Sequence, residues 1–265
     1  HNSDEQVLLT LEDGRPVVSK LLLAADGANS WVRHQLKLPI TFSDYDHHAL
    51  VTTIKTQHAH RQCARQVFLP DGPLALLPLW QENLCSIVWS TAPDHAKALL
   101  AMSDQAFNRA LTAATDAELG TVEVQDKRLS IPLTMRYANQ WLDKRVVLMG
   151  DAAHTIHPLA GLGMNLGLLD AASLVQKLSL PELLSSEHLT RQLRGYERWR
   201  KAEAQTYIVA MSGLKQLFAG DNPVKKFIRG AGLALTDANP LVKDKIIQQA
   251  MGLTGDLPEL AKSPQ

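Results

Sequence analysis

A buried strand that runs into Gly-Asp and then into a glycine-containing loop constrains this chain more than any other feature. Residues 146–149 form an uninterrupted apolar run, which is typical of a strand buried on both faces. Gly150 and Asp151 follow at its carboxyl end, where ligands bind in open α/β sheets. Ala152 and Ala153 then leave room beside the backbone. The segment therefore predicts a ligand site at the end of this strand.

The loop and helix after this strand strengthen that prediction. Pro158, Gly161 and Gly163 would let the chain pass close to a flat ligand. A helical pattern begins at Met164, and the start of a helix directs free N–H groups and a partial positive charge towards the preceding loop. Its apolar positions lie mostly on one face, at Leu166, Leu169, Ala172, Leu174 and Leu178. We therefore expect a cofactor site.

The segment 145–170 resembles the second FAD-binding motif, the GD motif, of the class A flavoprotein aromatic hydroxylases. More narrowly, the run from His157 to Asp170 is similar to the signature of the ubiquinone-biosynthesis hydroxylases. That signature usually has Gln between its two loop glycines, whereas this chain has Leu162. The replacement removes a side-chain hydrogen bond but leaves the backbone arrangement unchanged.

A second apolar run, residues 21–25, ends in Asp26-Gly27 and continues to Arg33. Asp-Gly by itself is equally typical of an ordinary turn. Together with the GD segment, however, it resembles the DG motif of the same hydroxylases, in which the Asp lies near the FAD pyrophosphate and along the route used by NAD(P)H. The resemblance implies cofactor binding by Asp26, Gly27, Arg33, Gly150, Asp151, Pro158, Gly161, Leu162, Gly163, Met164 and Asn165.

Within this set, we expect the Asp151 carboxylate to accept hydrogen bonds from the ribityl hydroxyls of FAD. The backbone of residues 162–165, at a helix start, would stabilise negative charge on the reduced flavin. No side chain is an evident general base. His154 and His157 are candidates, but each is equally compatible with a structural role.

The family also begins with a βαβ unit that carries G-x-G-x-x-G, and this fingerprint is absent from the chain. The chain opens instead with a predicted hairpin, residues 7–11 and 17–23 around a turn at 12–14. We therefore expect a fragment that lacks the amino-terminal unit, binds FAD poorly or not at all, and is inactive alone.

Composition sets outer limits on function. Lys plus Arg and Asp plus Glu number 27 each, so bulk charge does not predict nucleic-acid binding. Cys63 and Cys85 lack metal or redox spacing and are expected to be packed thiols in a reducing compartment. The histidines at 47–48 and 58–60 have no matching acid or cysteine pattern, so no metal site is predicted. No apolar run reaches the ~18 residues that span a bilayer, and we expect a cytoplasmic protein.

The predicted fold is α/β, with a partial Rossmann-like FAD-binding domain at residues 1–36 and 133–180. Residues 37–132 are predicted to form an α+β substrate domain with an antiparallel sheet, a helix at 94–114 and a last strand at 122–131. Candidate pocket residues, for each of which plain core is the favoured alternative, are Val67, Phe68, Leu76, Leu77, Pro78, Leu79 and Trp89. Residues 181–265 are predicted to form a helical region.

A basic amphipathic patch follows Asn222-Pro223 and contains Lys225, Lys226 and Arg229. It is compatible with contact at the inner face of a membrane or with a partner complex, and also with a solvated helix face.

The resemblance implies that FAD, reduced by NAD(P)H, reacts with O2 and that one oxygen atom is transferred to a polyprenylphenol ring in ubiquinone biosynthesis. The segments 45–50, 65–68, 85–90 and 249–253 are most similar to the 2-polyprenylphenol C5-hydroxylases. Two alternatives stay open. One is hydroxylation of another phenol, and the other is a non-catalytic scaffold of a quinone-biosynthesis complex.

Overall fold

The computed structural model describes residues 1–156, 162–178, 186–218, 230, 238–250 and 255–262. Pro158, Gly161 and the basic patch at 225–229 lie outside these residues. The described chain divides into two compact units, residues 1–43 with 135–265, and residues 44–134. The predicted boundaries differ from these by a few residues. The helices after residue 181, which were expected to form a separate region, are grouped with the first unit.

A small mixed sheet, with one antiparallel and one parallel pair of strands, organises the first unit. Its strands are β3 (Leu22–Ala24), β10 (Leu142–Asp143) and β11 (Val146–Leu148), in the order β10-β11-β3. β11 is fully buried, as its apolar run predicts. β3 is not, because the side chain of Leu23 is 46% exposed. The prediction of a strand buried throughout was therefore wrong for β3.

The predicted amino-terminal hairpin is present. β1 (Val7–Thr10) pairs antiparallel with β2 (Pro16–Ser19). The second strand ends sooner than predicted, because the chain turns after Ser19 and begins β3 as a separate strand at Leu22.

The second unit is built on an antiparallel sheet, as predicted. Its strands are β4 (Ile40–Thr56), β5 (Arg65–Leu69), β6 (Gly72–Pro78), β7 (Leu84–Thr91), β8 (Val122–Val124) and β9 (Leu129–Ala138). They follow the order β9-β4-β7-β6-β5, with β8 on β4. The single strand predicted over 122–131 is thus two strands. The predicted helix is also two, α2 (Pro93–Ala101) and α3 (Asp104–Ala114), because Ser103 caps a new helix by accepting the N–H of Ala106.

The two faces of this sheet differ, and they divide the candidate pocket residues. One face packs against α2 and α3 in a core that includes Leu50, Ile54, Leu74, Leu76, Ile87, Trp89, Leu99, Phe107 and Leu111. Because side chains alternate along a strand, Phe68 and Leu77 lie on the opposite face, where they are 57% and 40% exposed. Leu76 and Trp89 are therefore core residues, which is the alternative that the sequence left open for them.

The remaining helices belong to the first unit. α1 (Trp31–Gln35) follows the DG segment, and α4 (Leu162–Lys177) and α5 (Ser186–Phe218) cover β11, the long α5 as predicted. α6 (Pro240–Ala250) lies near the carboxyl end, and β12 (His154–Thr155) pairs with the end of β9. The core joins β11 to both long helices through Leu148, Leu174 and Tyr196. No helix among the described residues is long and apolar enough to cross a membrane.

The assignment of faces in the second unit predicts opposite outcomes for two adjacent residues. Leu76→Ala should lower the free energy of unfolding by about 2–5 kcal/mol, because Leu76 is only 2% exposed and its removal leaves a cavity. Leu77→Ala should change it by about 0.5 kcal/mol or less, because that side chain is on the open face. Urea denaturation of both variants measures the difference. Equal losses would contradict the assignment of faces.

Candidate functional site

Parallel pairing of β3 with β11 brings the two motif segments to the same edge of the sheet. Ala24 lies opposite Leu148, and the N–H of Met149 donates to the carbonyl of Ala24 over 3.0 Å. Parallel strands end at a common edge, so the residues that follow each strand are neighbours. The sequence-predicted DG and GD segments therefore meet here.

The DG loop is ordered by its own side chains. Gly27 adopts the left-handed conformation, with φ of 83°, and an added Cβ would meet no atom within 4 Å. Asp26 accepts the N–H of Val32 over 3.1 Å. Burial alone would raise the pKa of Asp26, but hydrogen bonds from the Ser30 side chain and from backbone N–H groups lower it below its ordinary value. Asp26 is therefore a carboxylate that orders the start of α1.

Arg33 ties the two segments together. Its side chain is 8% exposed, and its two terminal nitrogens donate to the carbonyls of Ala152 and Ala28, each over 2.7 Å. Burial and the neighbouring charge of Arg136 lower the pKa of this guanidinium, while the charge of Asp26 raises it. Both terminal nitrogens are thus engaged with backbone oxygens.

The GD segment turns sharply at Gly150. This residue has φ of 56°, in the left-handed region that favours glycine. The backbone also passes close to α4 there, since a Cβ added to Gly167 would lie 3.4 Å from the Cα of Gly150. An added methyl group on either glycine would thus be in van der Waals contact with the other backbone.

Asp151 is exposed beside the start of α4. A Cβ added to Gly163 would lie 3.9 Å from Oδ1 of Asp151, so the carboxylate faces the first turn of the helix. Met164, 78% exposed, and Asn165, also exposed, continue this turn, which begins at Leu162. The structure therefore places a carboxylate acceptor next to the first turn of a helix, whose N–H groups have no acceptor within the helix. The predicted loop residues Pro158 and Gly161 lie outside the described residues.

Beneath this surface, the carboxylate of Asp170 is fully buried and contacts three other parts of the first unit. Its Oδ2 accepts the N–H of Gly150 over 2.9 Å and lies 2.7 Å from Nε2 of His154. Its Oδ1 accepts Nε of Arg200, on α5, over 2.7 Å. Burial would raise the pKa of Asp170, but the hydrogen bond and charge of His154, with those of Arg200, hold it below its ordinary value. We call Asp170, His154 and Arg200 the buried triad.

Aromatic rings enclose the buried triad. The ring of Trp141 lies 5.0 Å from that of His154, and its indole N–H donates to the carbonyl of Ala138. Burial raises the pKa of Tyr196 well above its ordinary value, and its hydroxyl donates to the carbonyl of Leu148 over 3.5 Å. This packing keeps water away from the charged groups, so their electrostatic interactions are strong.

Sequence reasoning missed Arg200 and Arg136. Arg200 occupies an apolar position of α5, in the buried series Leu189, Leu193, Tyr196, Arg200 and Ala204. A charge in such a stripe indicates a buried partner, so this signal was available. Arg136, in β9, donates to Oδ1 of Asn29 over 2.6 Å and lies over the ring of Phe42. In the sequence, Arg136 is a single cation in an apolar strand, and this pattern does not indicate that its partner lies in the DG loop.

Possible metal ligands and the two cysteines are the remaining side chains that the sequence singled out. Across the described residues, no group of three or more His, Cys, Asp or Glu side chains could hold a metal ion. Cys85 is buried and its pKa is raised by burial, as expected of a packed thiol. Cys63 is exposed, so the prediction of a packed thiol was wrong for it.

The buried triad predicts a large loss of stability on neutralising its carboxylate. Asp170→Asn should cost about 3–5 kcal/mol at neutral pH, because it removes the buried charge partner of Arg200 and leaves only the more exposed Glu203. Because the folded pKa is lowered, the stabilisation is complete above the ordinary carboxyl pKa of about 3.9 and is lost as the pH falls through the folded value. The gap between wild type and variant should therefore narrow in acid.

Thermal or urea unfolding as a function of pH measures this gap. Glu203→Gln is the matched control, because Glu203 contacts Arg200 over 3.3 Å at the more exposed end of the triad and should contribute below about 1 kcal/mol. An Asp170→Asn variant as stable as this control at neutral pH would refute the role of the triad.

Known proteins resemble this chain in sequence and in structure. Residues 2–210 match the family described as FAD binding domain. The ubiquinone hydroxylase UbiL of Rhodospirillum rubrum is 34% identical over 93% of this chain and 57% of its own length. The 3-demethoxyubiquinol 3-hydroxylase of Escherichia coli is 32% identical over 96% of this chain and 64% of its own. The chain thus spans about three-fifths of these relatives.

The structure of p-nitrophenol 4-monooxygenase PnpA from Pseudomonas putida DLL-E4 superimposes with a TM-score of 0.74. It is 21% identical, and the match covers 97% of this chain and 65% of that one. This likeness confirms the predicted fold class, and the relatives confirm the resemblance to ubiquinone-biosynthesis hydroxylases. FAD, the predicted cofactor, is likewise confirmed, and the chain belongs to the FAD binding domain family.

Proposed function

We propose that this chain forms part of an FAD-dependent, NAD(P)H- and O2-using monooxygenase that hydroxylates the aromatic ring of a polyprenylphenol in ubiquinone biosynthesis. The observation that carries the proposal is the meeting of the DG and GD segments at one sheet edge, with the Asp151 carboxylate beside the start of α4. The names of the two relatives support the substrate class.

The residues at this edge fit a flavin. Asp151 is exposed and its carboxylate can accept hydrogen bonds from hydroxyl groups. The free N–H groups of the first turn of α4 can donate to an electron-rich ring edge. The space around Gly27 leaves the backbone approachable there, whereas Ala152 and Ala153, expected to leave room for a ligand, are buried. Acceptor, donors and open backbone are the groups that a ribityl chain and an isoalloxazine ring require.

Each residue then has a distinct part in binding. Asp151 binds ribityl hydroxyls, and residues 162–165 stabilise negative charge through their N–H groups. Arg33 holds the DG loop against the GD segment through the carbonyls of Ala28 and Ala152. Asp26 orders the start of α1, beside which we place the pyrophosphate. FAD supplies the activation of O2 when it is bound, and the protein orients it.

We further propose that the open face of the second unit's sheet contacts the apolar part of the substrate. This face carries Phe68 and Leu77, which are 57% and 40% exposed, and the half-buried Val51 and Val88. An exposed apolar face of this kind suits a hydrophobic ligand, because burying it against a prenyl chain removes apolar surface from water. The second unit would thus act as the substrate domain.

The proposed role of Asp151 predicts loss of flavin on its replacement. In the full-length protein, Asp151→Ala should weaken FAD binding at least about tenfold, because a hydrogen bond to a charged group contributes roughly 1.5–3 kcal/mol. Titration followed by flavin absorbance measures the affinity. Glu123→Ala, an exposed carboxylate on β8, is the control and should bind FAD as the wild type does. Full flavin content in Asp151→Ala would refute the role.

The proposed reaction predicts a hydroxylated product. The full-length protein with FAD, NAD(P)H, O2 and a polyprenylphenol should release a phenol that carries one added oxygen atom, identified by mass spectrometry with labelled O2. Leu77→Asp should raise KM for the prenylated phenol and leave FAD content unchanged, whereas KM for a phenol without the prenyl chain should not change. Unchanged KM for both substrates would remove the open face from the proposal.

The same assay separates the alternatives. Turnover of short phenols in preference to prenylated ones would favour another phenol hydroxylase. Absence of turnover with bound FAD, together with retention of partner proteins from quinone biosynthesis, would favour a scaffold. Contact of residues 225–229 with a membrane stays a prediction, and co-sedimentation of a charge-reversal variant with vesicles tests it.

A further inference from the structure

A cationic cleft lies in the first unit, away from the flavin site. Its volume is about 630 Å³, and five cationic side chains line it against two carboxylates, those of Asp4 and Glu187. The five are Lys144, Arg145, Arg191, Arg194 and Arg198. This volume is within the range of roughly 300–1,000 Å³ that is typical of small-molecule sites.

Three of these cations form a row on α5. Arg191, Arg194 and Arg198 are spaced so that they share one helix face, and all three are exposed. They span about 10 Å of the helix at 1.5 Å per residue. Like charges at this spacing repel one another and destabilise a helix. Such a row is stabilised when a bound anion neutralises it.

Among the residues that the structure describes, no carboxylate forms an ion pair with the row. The ion pairs that α5 makes with other described residues lie further along it, at Arg200 and Lys201, and they do not involve Arg191, Arg194 or Arg198. Glu187 lines the same cleft, but it makes no ion pair with a described residue. The guanidinium groups therefore have donors available to a ligand.

The positions of Arg145 and Lys144 in the chain show where the cleft lies relative to the flavin site. Arg145 is 3% exposed and donates to the carbonyls of Asp4 and Lys20 over 2.6 and 3.1 Å. It directly precedes β11, whereas Gly150 and Asp151 follow the carboxyl end of the same strand. The cleft is therefore at the amino end of β11, separated from the flavin site by the length of this buried strand.

We propose that the cleft binds a phosphate-bearing anion. Arginine presents a planar set of N–H donors that matches two oxygens of a phosphate, and arginine supplies most of the cations here. A monocarboxylate would meet only one guanidinium, whereas a row of three suits a ligand with several anionic oxygens. Two sources share this chemistry, a soluble phosphate ester or pyrophosphate and the phosphate headgroups of an acidic lipid surface.

Binding measurements on the chain as it stands test the proposal without FAD or turnover, so the result is independent of the proposed function. Pyrophosphate is titrated by calorimetry, and vesicles of phosphatidylcholine with phosphatidylglycerol are tested by co-sedimentation. We expect binding to at least one probe and its loss, by about tenfold or more, in Arg191→Glu/Arg194→Glu, because each bond from an ionised donor contributes about 1.5–3 kcal/mol. Added salt should weaken it as well.

The matched control reverses two exposed cations of the second unit's helices, Lys97→Glu/Arg109→Glu, and so changes the net charge equally. Loss of pyrophosphate binding in the cleft variant alone assigns a soluble phosphate ligand. Loss of vesicle binding in that variant alone assigns a lipid headgroup. Absence of binding to both probes, or equal effects of the two double variants, would overturn the proposal. Circular dichroism of each variant confirms that α5 is retained.

Discussion

The hydrogen bonds and ion pair of the buried Asp170 carboxylate are the interactions on which the proposed flavin site depends. This carboxylate is fully buried, yet it bonds to the N–H of Gly150, to His154 and to Arg200. A buried charge is tolerated only when such partners compensate for its lost hydration. The backbone turn that presents Asp151, the short strand that contains His154 and the long helix α5 are therefore held by one group. The position of the site and the stability of the first unit have the same cause.

Within the two motifs, the residues that fix the loop conformation differ from the residues proposed to bind the cofactor. Arg33 donates to the carbonyls of Ala28 and Ala152, and Asp170 accepts the N–H of Gly150. These bonds set the geometry of the two loops. Asp151 and the first turn of α4 stay exposed, so their hydrogen-bonding groups remain available to a ligand. A rigid support with a few free polar groups is the arrangement that cofactor binding favours, because little ordering is needed when the ligand arrives.

The sequence predicted several parts of this arrangement, and the reasons can be traced. β11 was predicted from its uninterrupted apolar run, and α4 and α5 were predicted from their long helical periodicity. Both patterns can be read from the local sequence alone. The division of 94–114 into α2 and α3 was missed because a single cap at Ser103 outweighed a continuous pattern. Leu76 and Leu77 could not be assigned to opposite faces, since pairing register is set between strands. Arg200 had a readable signal, a charge in a buried stripe, but its partner Asp170 lies on another helix.

Local sequence by itself determined the strand-to-Gly-Asp transition, the turn at Gly27 and the helix start after the loop, because backbone conformation there follows from residue type and periodicity. Only the tertiary structure decided which of the motif charges face a ligand. Arg33 is held inwards by the carbonyl of Ala152, and Asp170 by His154 and Arg200, all of which lie outside the local segment, whereas Asp151 is left exposed. The cationic cleft also needed the fold, because Arg145 and the row on α5 meet only when α5 packs beside β11. Such pairings depend on long-range contacts, which no local pattern encodes.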